Sequence, residues 1–67
     1  MKELYNLSGN LKRLREQYHY TQKYVAEQIG ISCQSYQAYE WGVTVPKLKH
    51  FILLAKLYDV SLDDLIE

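Results

Sequence analysis

TQKYVAEQIGISCQSYQAYE, residues 21–40, is the stretch whose reading decides the fold. Two short helical patterns are separated by a single glycine, Gly30, between Ile29 and Ile31. Thr21 suits the N-cap of the first pattern, because its side-chain oxygen can accept a backbone N–H from the first turn. Tyr24, Val25, Ala26 and Ile29 supply that helix's apolar side. Gly30 ends it, since glycine enters the left-handed region without steric cost. Ser32 caps the next helix, which buries Tyr36 and Tyr39 and stops at Trp41-Gly42. Two helices joined by so tight a turn meet at a sharp angle.

The flanking sequence continues the helical pattern. Leu7, Leu11, Leu14 and Tyr18 recur at spacings of four, three and four. They form one apolar face, with Lys12, Arg13 and Glu16 outside it. Asn6 is the expected N-cap, Gly9 weakens the first turn, and the pattern fades at His19 and Tyr20. Downstream, Gly42 to Pro46 reads as a loop, and Pro46 pre-sets the next N-terminus. A fourth helix is expected from about Lys47 to Tyr58, with Leu48, Phe51, Leu54, Ala55 and Tyr58 as its core stripe. Asp59 and Val60 form a connection. Ser61 caps a short fifth helix, with Asp63 and Asp64 near its positive end and Leu62, Leu65 and Ile66 as its apolar residues. No repeat or low-complexity segment interrupts the chain. Five short helices with tight joints predict a compact all-α fold, one domain over residues 1–67.

At 67 residues the chain has room for one domain. So short a domain buries only about 60% of its unfolded surface and needs a compact fold, a partner subunit, or both. Cys33 is the single cysteine. An intrachain disulfide and a cysteine metal cluster are therefore excluded, and a reducing compartment is expected. No long apolar run occurs near the N-terminus, so neither a signal peptide nor a membrane span is expected, and a cytoplasmic location is the default. The net charge is zero but unevenly spread. Residues 1–56 carry all 8 basic residues against Glu3, Glu16, Glu27 and Glu40, a net of +4. Residues 57–67 carry Asp59, Asp63, Asp64 and Glu67 with no basic residue, a net of −4. A basic body of this kind can hold an anion. Enzyme chemistry is not expected: there is no phosphate-binding glycine loop, no set of paired metal ligands and no nucleophile–base set. His19 and His50 are not spaced for a shared metal on one helix, and no cofactor is implied.

With its helices placed in this way, the chain resembles the lambda-repressor-like (Cro/CI-type, XRE) helix-turn-helix family of bacterial and phage transcription regulators. The resemblance rests on LKRLRE in the first helix, TQKYVAEQIGIS across the turn and YEWG after the third helix. Pro46 before the fourth helix and LLAKLYDVSLDDLI near the end complete it. It runs from about Leu7 to Ile66, with the helix-turn-helix at about residues 21–40. Ala26 faces the helix crossing, where a larger side chain would push the third helix away. Arg15 and Glu40 match the positions of a structural ion pair linking the first and third helices.

The resemblance implies that the third helix enters the DNA major groove and presents Cys33, Gln34, Gln37 and Ala38 to the bases. A glutamine amide carries a donor and an acceptor and suits the edge of adenine, and Ala38 suits a thymine methyl. Backbone contacts are expected from Thr21, Gln22 and Lys23 at the N-terminus of the second helix, where free amides favour phosphate. Ser35, Thr44 and Lys47 are the further candidates. A repressor acting as a homodimer on a palindromic operator is implied, with recognition helices about 34 Å apart. Ile52, Leu53, Leu57, Leu65 and Ile66 are expected to form either a two-fold interface or an extension of the core. The chain departs from the family at Val43 and Val45, where basic residues are common, at Trp41, where a polar residue is common, and at His19, where glycine is common. Fewer cations mean fewer phosphate contacts. Trp41, Val43 and Val45 therefore motivate the alternative of a protein-interaction or antitoxin-like module with weak DNA affinity.

Overall fold

The computed structural model describes residues 5–67; Lys2 and Glu3, counted in the charge above, lie outside them. The elements are α1 (Tyr5–Gln17), α2 (Gln22–Ile29), α3 (Cys33–Glu40), α4 (Leu48–Tyr58) and α5 (Leu62–Ile66). No strand occurs among the described residues.

The caps anticipated from sequence form at three helices. Thr21 accepts from Tyr24 N–H at 3.0 Å. Ser32 accepts from Ser35 N–H at 3.1 Å. Ser61 and Asp64 complete a reciprocal capping box at α5, which satisfies two otherwise orphaned donors. Asn6 differs from expectation: it lies inside α1 rather than before it. Its side-chain amide instead donates to the Glu67 carbonyl at 3.1 Å, and Asn10 donates to the Leu65 carbonyl at 2.9 Å. The two asparagines thereby pin the end of α5, whose last carbonyls have no partner within so short a helix.

The first four helices all end in one closure. A residue one or two positions past the helix takes a left-handed conformation, and two backbone N–H groups turn back onto the last carbonyls. At α2, Gly30 has φ 78° and Ile31 N–H reaches the Ala26 carbonyl at 3.0 Å. At α3, Gly42 has φ 73° and Val43 N–H reaches Ala38 at 2.9 Å. His19 (φ 58°) closes α1 through Tyr20 N–H to Arg15, and Asp59 (φ 55°) closes α4 through Val60 N–H to Ala55, both at 3.0 Å. This is the Schellman arrangement, and glycine is its usual left-handed residue. Here two of the four closures are made by side-chain-bearing residues in a region that disfavours them.

Every helix contributes to one core. Leu7, Leu11 and Leu14 come from α1, Val25, Ala26 and Ile29 from α2, and Tyr36 and Tyr39 from α3. Leu54, Ala55 and Tyr58 from α4 and Leu65 from α5 complete it. Each fully buried aliphatic side chain contributes about 1.5–3 kcal/mol relative to exposure. Two expectations are corrected here. Leu48, expected in the core stripe, is 68% exposed, because it opens α4 and hangs past the edge of the core. Leu65, expected on an intersubunit surface, is fully buried and locks α5 into its own chain's core. Tyr24 is also largely exposed, its ring against Tyr20 with centroids 4.6 Å apart. Tyr18, just beyond α1, donates its hydroxyl to the Tyr58 carbonyl at 2.8 Å.

Candidate nucleic-acid interface

The geometry of α3 is fixed from behind. Tyr36 and Tyr39 point into the core, where Tyr36 is fully enclosed. Burial pushes the Tyr36 phenol well above its ordinary range, and the neighbouring Glu40 carboxylate adds to that. Burial likewise raises the Tyr58 phenol, to about 12. Both hydroxyls therefore stay protonated at physiological pH.

At the C-terminal end of α3, Glu40 receives Arg15 from α1. Arg15 Nε donates to Oε2 at 2.5 Å and Nη2 to Oε1 at 3.1 Å, a two-point contact. Arg15 Nη1 also donates to the Tyr20 carbonyl at 3.1 Å, which ties in the turn before α2. The Glu40 side chain is only 2% exposed. Burial alone would raise its pKa, but the bonds from Arg15 and Gln22, with the Tyr36 phenol nearby, hold it below the usual carboxylate value. Glu40 is therefore an ionised, buried acceptor.

From Glu40 a hydrogen-bonded line runs outward. Gln22, the first residue of α2, donates its Nε2 to Glu40 Oε1 at 3.3 Å. Gln37, on α3, donates its Nε2 to Gln22 Oε1 at 3.1 Å. The line joins α1, α2 and α3 and ends on the face where base contacts are expected.

Gln34 and Ser35 are exposed on that face, while Gln37 and Ala38 are half-buried. Cys33 is also half-buried and packs against the core at the start of α3. Ser35 accepts a 2.9 Å bond from the Ser32 hydroxyl and so is coupled to the cap. Gln34, Ser35 and Ala38 line an open groove with Tyr39, Thr44, Val45 and Lys47. The structure thus brings two expected base-reading residues and three expected backbone-contact residues to one concavity. Thr21 and Lys23 are exposed at the N-terminus of α2, beside the other flank of α3.

Sequence reasoning missed two features. Gln22 was expected at phosphate alone, yet its amide bridges Glu40 and Gln37. Tyr39 was expected in the core alone, yet it also edges the groove, and its hydroxyl lies 3.0 Å from His50 Nδ1. The signal for the first was the pairing of a glutamine at the start of α2 with one in α3, but contact between them depends on the helix crossing.

Trp41, Val43 and Val45 are 68%, 71% and 56% exposed. Ile52 is exposed, and Leu53, Leu57 and Ile66 are partly buried against their own core. No helix among the described residues is long and apolar enough to cross a membrane.

Known proteins resemble this chain in sequence and in fold. The family model described as Helix-turn-helix matches residues 11–65. The uncharacterized HTH-type transcriptional regulator YqaE of Bacillus subtilis is 42% identical over 60 residues, covering 90% of this chain and 52% of the relative. The cryptic phage CTXphi transcriptional repressor RstR of Vibrio cholerae is 34% identical over 59 residues, covering 88% of this chain and 53% of the relative. A solution structure of the SOS-response transcriptional repressor LexA from Eubacterium rectale superimposes with a TM-score of 0.91 at 28% identity, covering all of this chain and 71% of the other. The chain spans about half the length of the curated relatives it matches.

Proposed function

The chain belongs to the helix-turn-helix family, and we propose on that premise that it is a sequence-specific DNA-binding transcriptional regulator, a repressor that acts as a homodimer on a palindromic operator. One observation carries the reading: the polar face of α3 is exposed at Gln34 and Ser35, and Gln37 beside them is held by a line of hydrogen bonds anchored in a buried ion pair. The names of YqaE, RstR and LexA support transcription regulation, and the latter two support repression.

In this reading α3 enters the major groove, with Gln34, Gln37 and Ala38 toward the bases and Cys33 at the groove wall. Thr21, Gln22 and Lys23 meet the phosphates on one side, where the first amides of α2 face outward. Ser35, Thr44 and Lys47 meet those on the other. The principal extents of the protomer are 27 × 23 × 20 Å. Two copies therefore fit side by side on half-sites about 34 Å apart. Their contact would use Ile52, exposed one turn from the exposed Leu48, flanked by Leu53, Leu57 and Ile66.

The test is selection from a library of duplex DNA at two salt concentrations. Enrichment of a palindrome whose binding weakens with salt is expected; a folded protein that selects nothing at low salt overturns the reading. Sedimentation that shows a monomer both free and on a selected site would exclude the homodimer. The exposed Trp41, Val43 and Val45 favour a second reading, a protein-interaction or antitoxin-like module with weak DNA affinity. Failed DNA selection together with a partner lost on Trp41→Ala would favour it.

A further inference from the structure

We infer that Glu40, acting through Gln22, sets the hydrogen-bond polarity of Gln37, so that Gln37 turns its carbonyl oxygen toward DNA and reads an exocyclic amino group on a base edge. This rests on the DNA-binding reading and adds a specificity-determining role for Gln22, which does not itself touch the base.

The argument begins at a group whose polarity cannot reverse. An ionised carboxylate only accepts hydrogen bonds, whereas an amide can present either end. Arg15 keeps Glu40 ionised by its two-point contact. The atom of Gln22 that lies 3.3 Å from Glu40 Oε1 must then be the donor, Nε2. Reversing that amide would set two acceptors against each other beside a buried charge. With its nitrogen committed to Glu40, Gln22 offers Oε1 to α3. Gln37 meets that oxygen with Nε2, at 3.1 Å. Its nitrogen is held toward α2, and its Oε1 sits at the opposite end of the amide.

This polarity selects among bases. In the major groove, adenine presents an amino donor at N6 and cytosine at N4, while guanine presents only the acceptors N7 and O6. A fixed carbonyl matches the first two and is repelled by the third. A free glutamine, able to rotate its amide, would not discriminate in this way. The anticipated bidentate contact to adenine is thus narrowed at Gln37 to an acceptor-led contact, while Gln34, exposed and outside this line, keeps both ends available.

The test measures binding to the selected site and to duplexes carrying each base at every position. Gln37→Ala identifies the position Gln37 reads. Wild type is expected to prefer adenine or cytosine there over guanine by roughly tenfold or more, the scale of a single mismatch. Gln22→Met keeps the length of the side chain and removes both polar ends. It should abolish the preference at that one position, leave preferences elsewhere intact, and remove no further preference when combined with Gln37→Ala, whatever affinity is lost with its phosphate contact. Two further variants leave Gln22 in place. Gln37→Glu, which presents only acceptors, loses the bond to Gln22 Oε1 and binds more weakly, but should still favour the amino-bearing base. Gln37→Lys, which presents only donors, should move the preference to guanine. A wild-type preference for guanine overturns the inference. So does a Gln22→Met variant that binds every sequence more weakly by one common factor, because that marks a phosphate contact or a purely structural role. A wild-type protein that selects no site removes the DNA-binding reading itself and this inference with it, and that outcome is distinct from the other two.

Discussion

Replacing Arg15 by methionine should remove most of the stability of the domain. Glu40 is 2% exposed and takes two hydrogen bonds from Arg15. Without the guanidinium its charge stays buried, with Gln22 as the remaining donor. Stranding one member of a buried pair costs about 3–5 kcal/mol. A chain of this length has a total stability of about 3–10 kcal/mol at the usual yield per residue. Arg15→Met should therefore be marginal or unfolded at neutral pH. In a urea titration followed by far-ultraviolet circular dichroism, with a slope of about 1 kcal/mol per molar, the midpoint should fall by several molar. A solvated surface pair would predict a loss of about 1 kcal/mol or less.

The pH dependence provides an independent check. In the wild type, the folded pKa of Glu40 lies below its unfolded value of 4.5. The stability it contributes is present above that value and is lost as pH falls through the folded pKa. In Arg15→Met, burial dominates and the folded pKa rises above the unfolded one. Stability then increases as pH falls, and the two proteins converge in acid. Arg15→Met/Glu40→Met should recover more than half of the loss, because replacing both charges with apolar groups leaves neither stranded. A loss under about 1 kcal/mol, parallel pH profiles, or a double variant no better than Arg15→Met would refute the reasoning.

The remaining predictions concern helix ends, packing and ionic contacts. Gly30→Ala should cost about 1–2 kcal/mol through its left-handed backbone, since an added Cβ meets nothing within 4 Å; urea midpoints measure it. His19→Gly and Asp59→Gly should each gain up to about 1 kcal/mol by relieving the same strain, less the extra freedom of an unfolded glycine. Ala26→Leu, at a site 1% exposed in the core, should lose at least about 1–3 kcal/mol by overpacking. Lys47→Ala should leave base preference unchanged and lower the slope of log affinity against log salt by about 1, the signature of one lost phosphate contact.

The helices were legible in the sequence because their caps and apolar spacings are local. Thr21, Ser32 and Ser61 each needed only a donor three residues away. Gly30 and Gly42 marked two of the four left-handed closures. His19 and Asp59 marked helix ends but not left-handed closures, because a residue with a side chain takes that conformation only where the surrounding contacts impose it. Leu48 fitted the spacing of α4, yet spacing does not say where the core ends along a helix. Leu65 could have faced a second copy or its own chain; only the docking of α5 on α1, through Asn6 and Asn10, decides that. The candidate site divides in the same way. The position of Gln34 and Gln37 just after the turn could be read directly. The Arg15–Glu40 pair was legible through the family resemblance, but its continuation through Gln22 to Gln37 was not, because those residues lie on two helices and meet only after the helices cross.

That line also bears on how a chain of zero net charge could hold DNA with selectivity. The proposed base-reading residues carry no charge, and the loop before Pro46 contributes valines rather than cations. Electrostatic attraction supplies affinity but no direct sequence information, so its weakness does not in itself reduce selectivity. Selectivity depends on whether the reading groups arrive already oriented. Ordering a free glutamine side chain costs up to about 1.5–2 kcal/mol. Gln22 and Gln37 have met part of that cost in folding, since each is already bonded in the free protein. On the DNA-binding reading, the correct base then gains more of the contact energy, and a wrong base faces an amide that cannot turn without breaking its bond to α2. A buried ion pair that contributes little net stability compared with apolar packing is accounted for on those terms: it fixes the end of the line from which the polarity of the reading face follows.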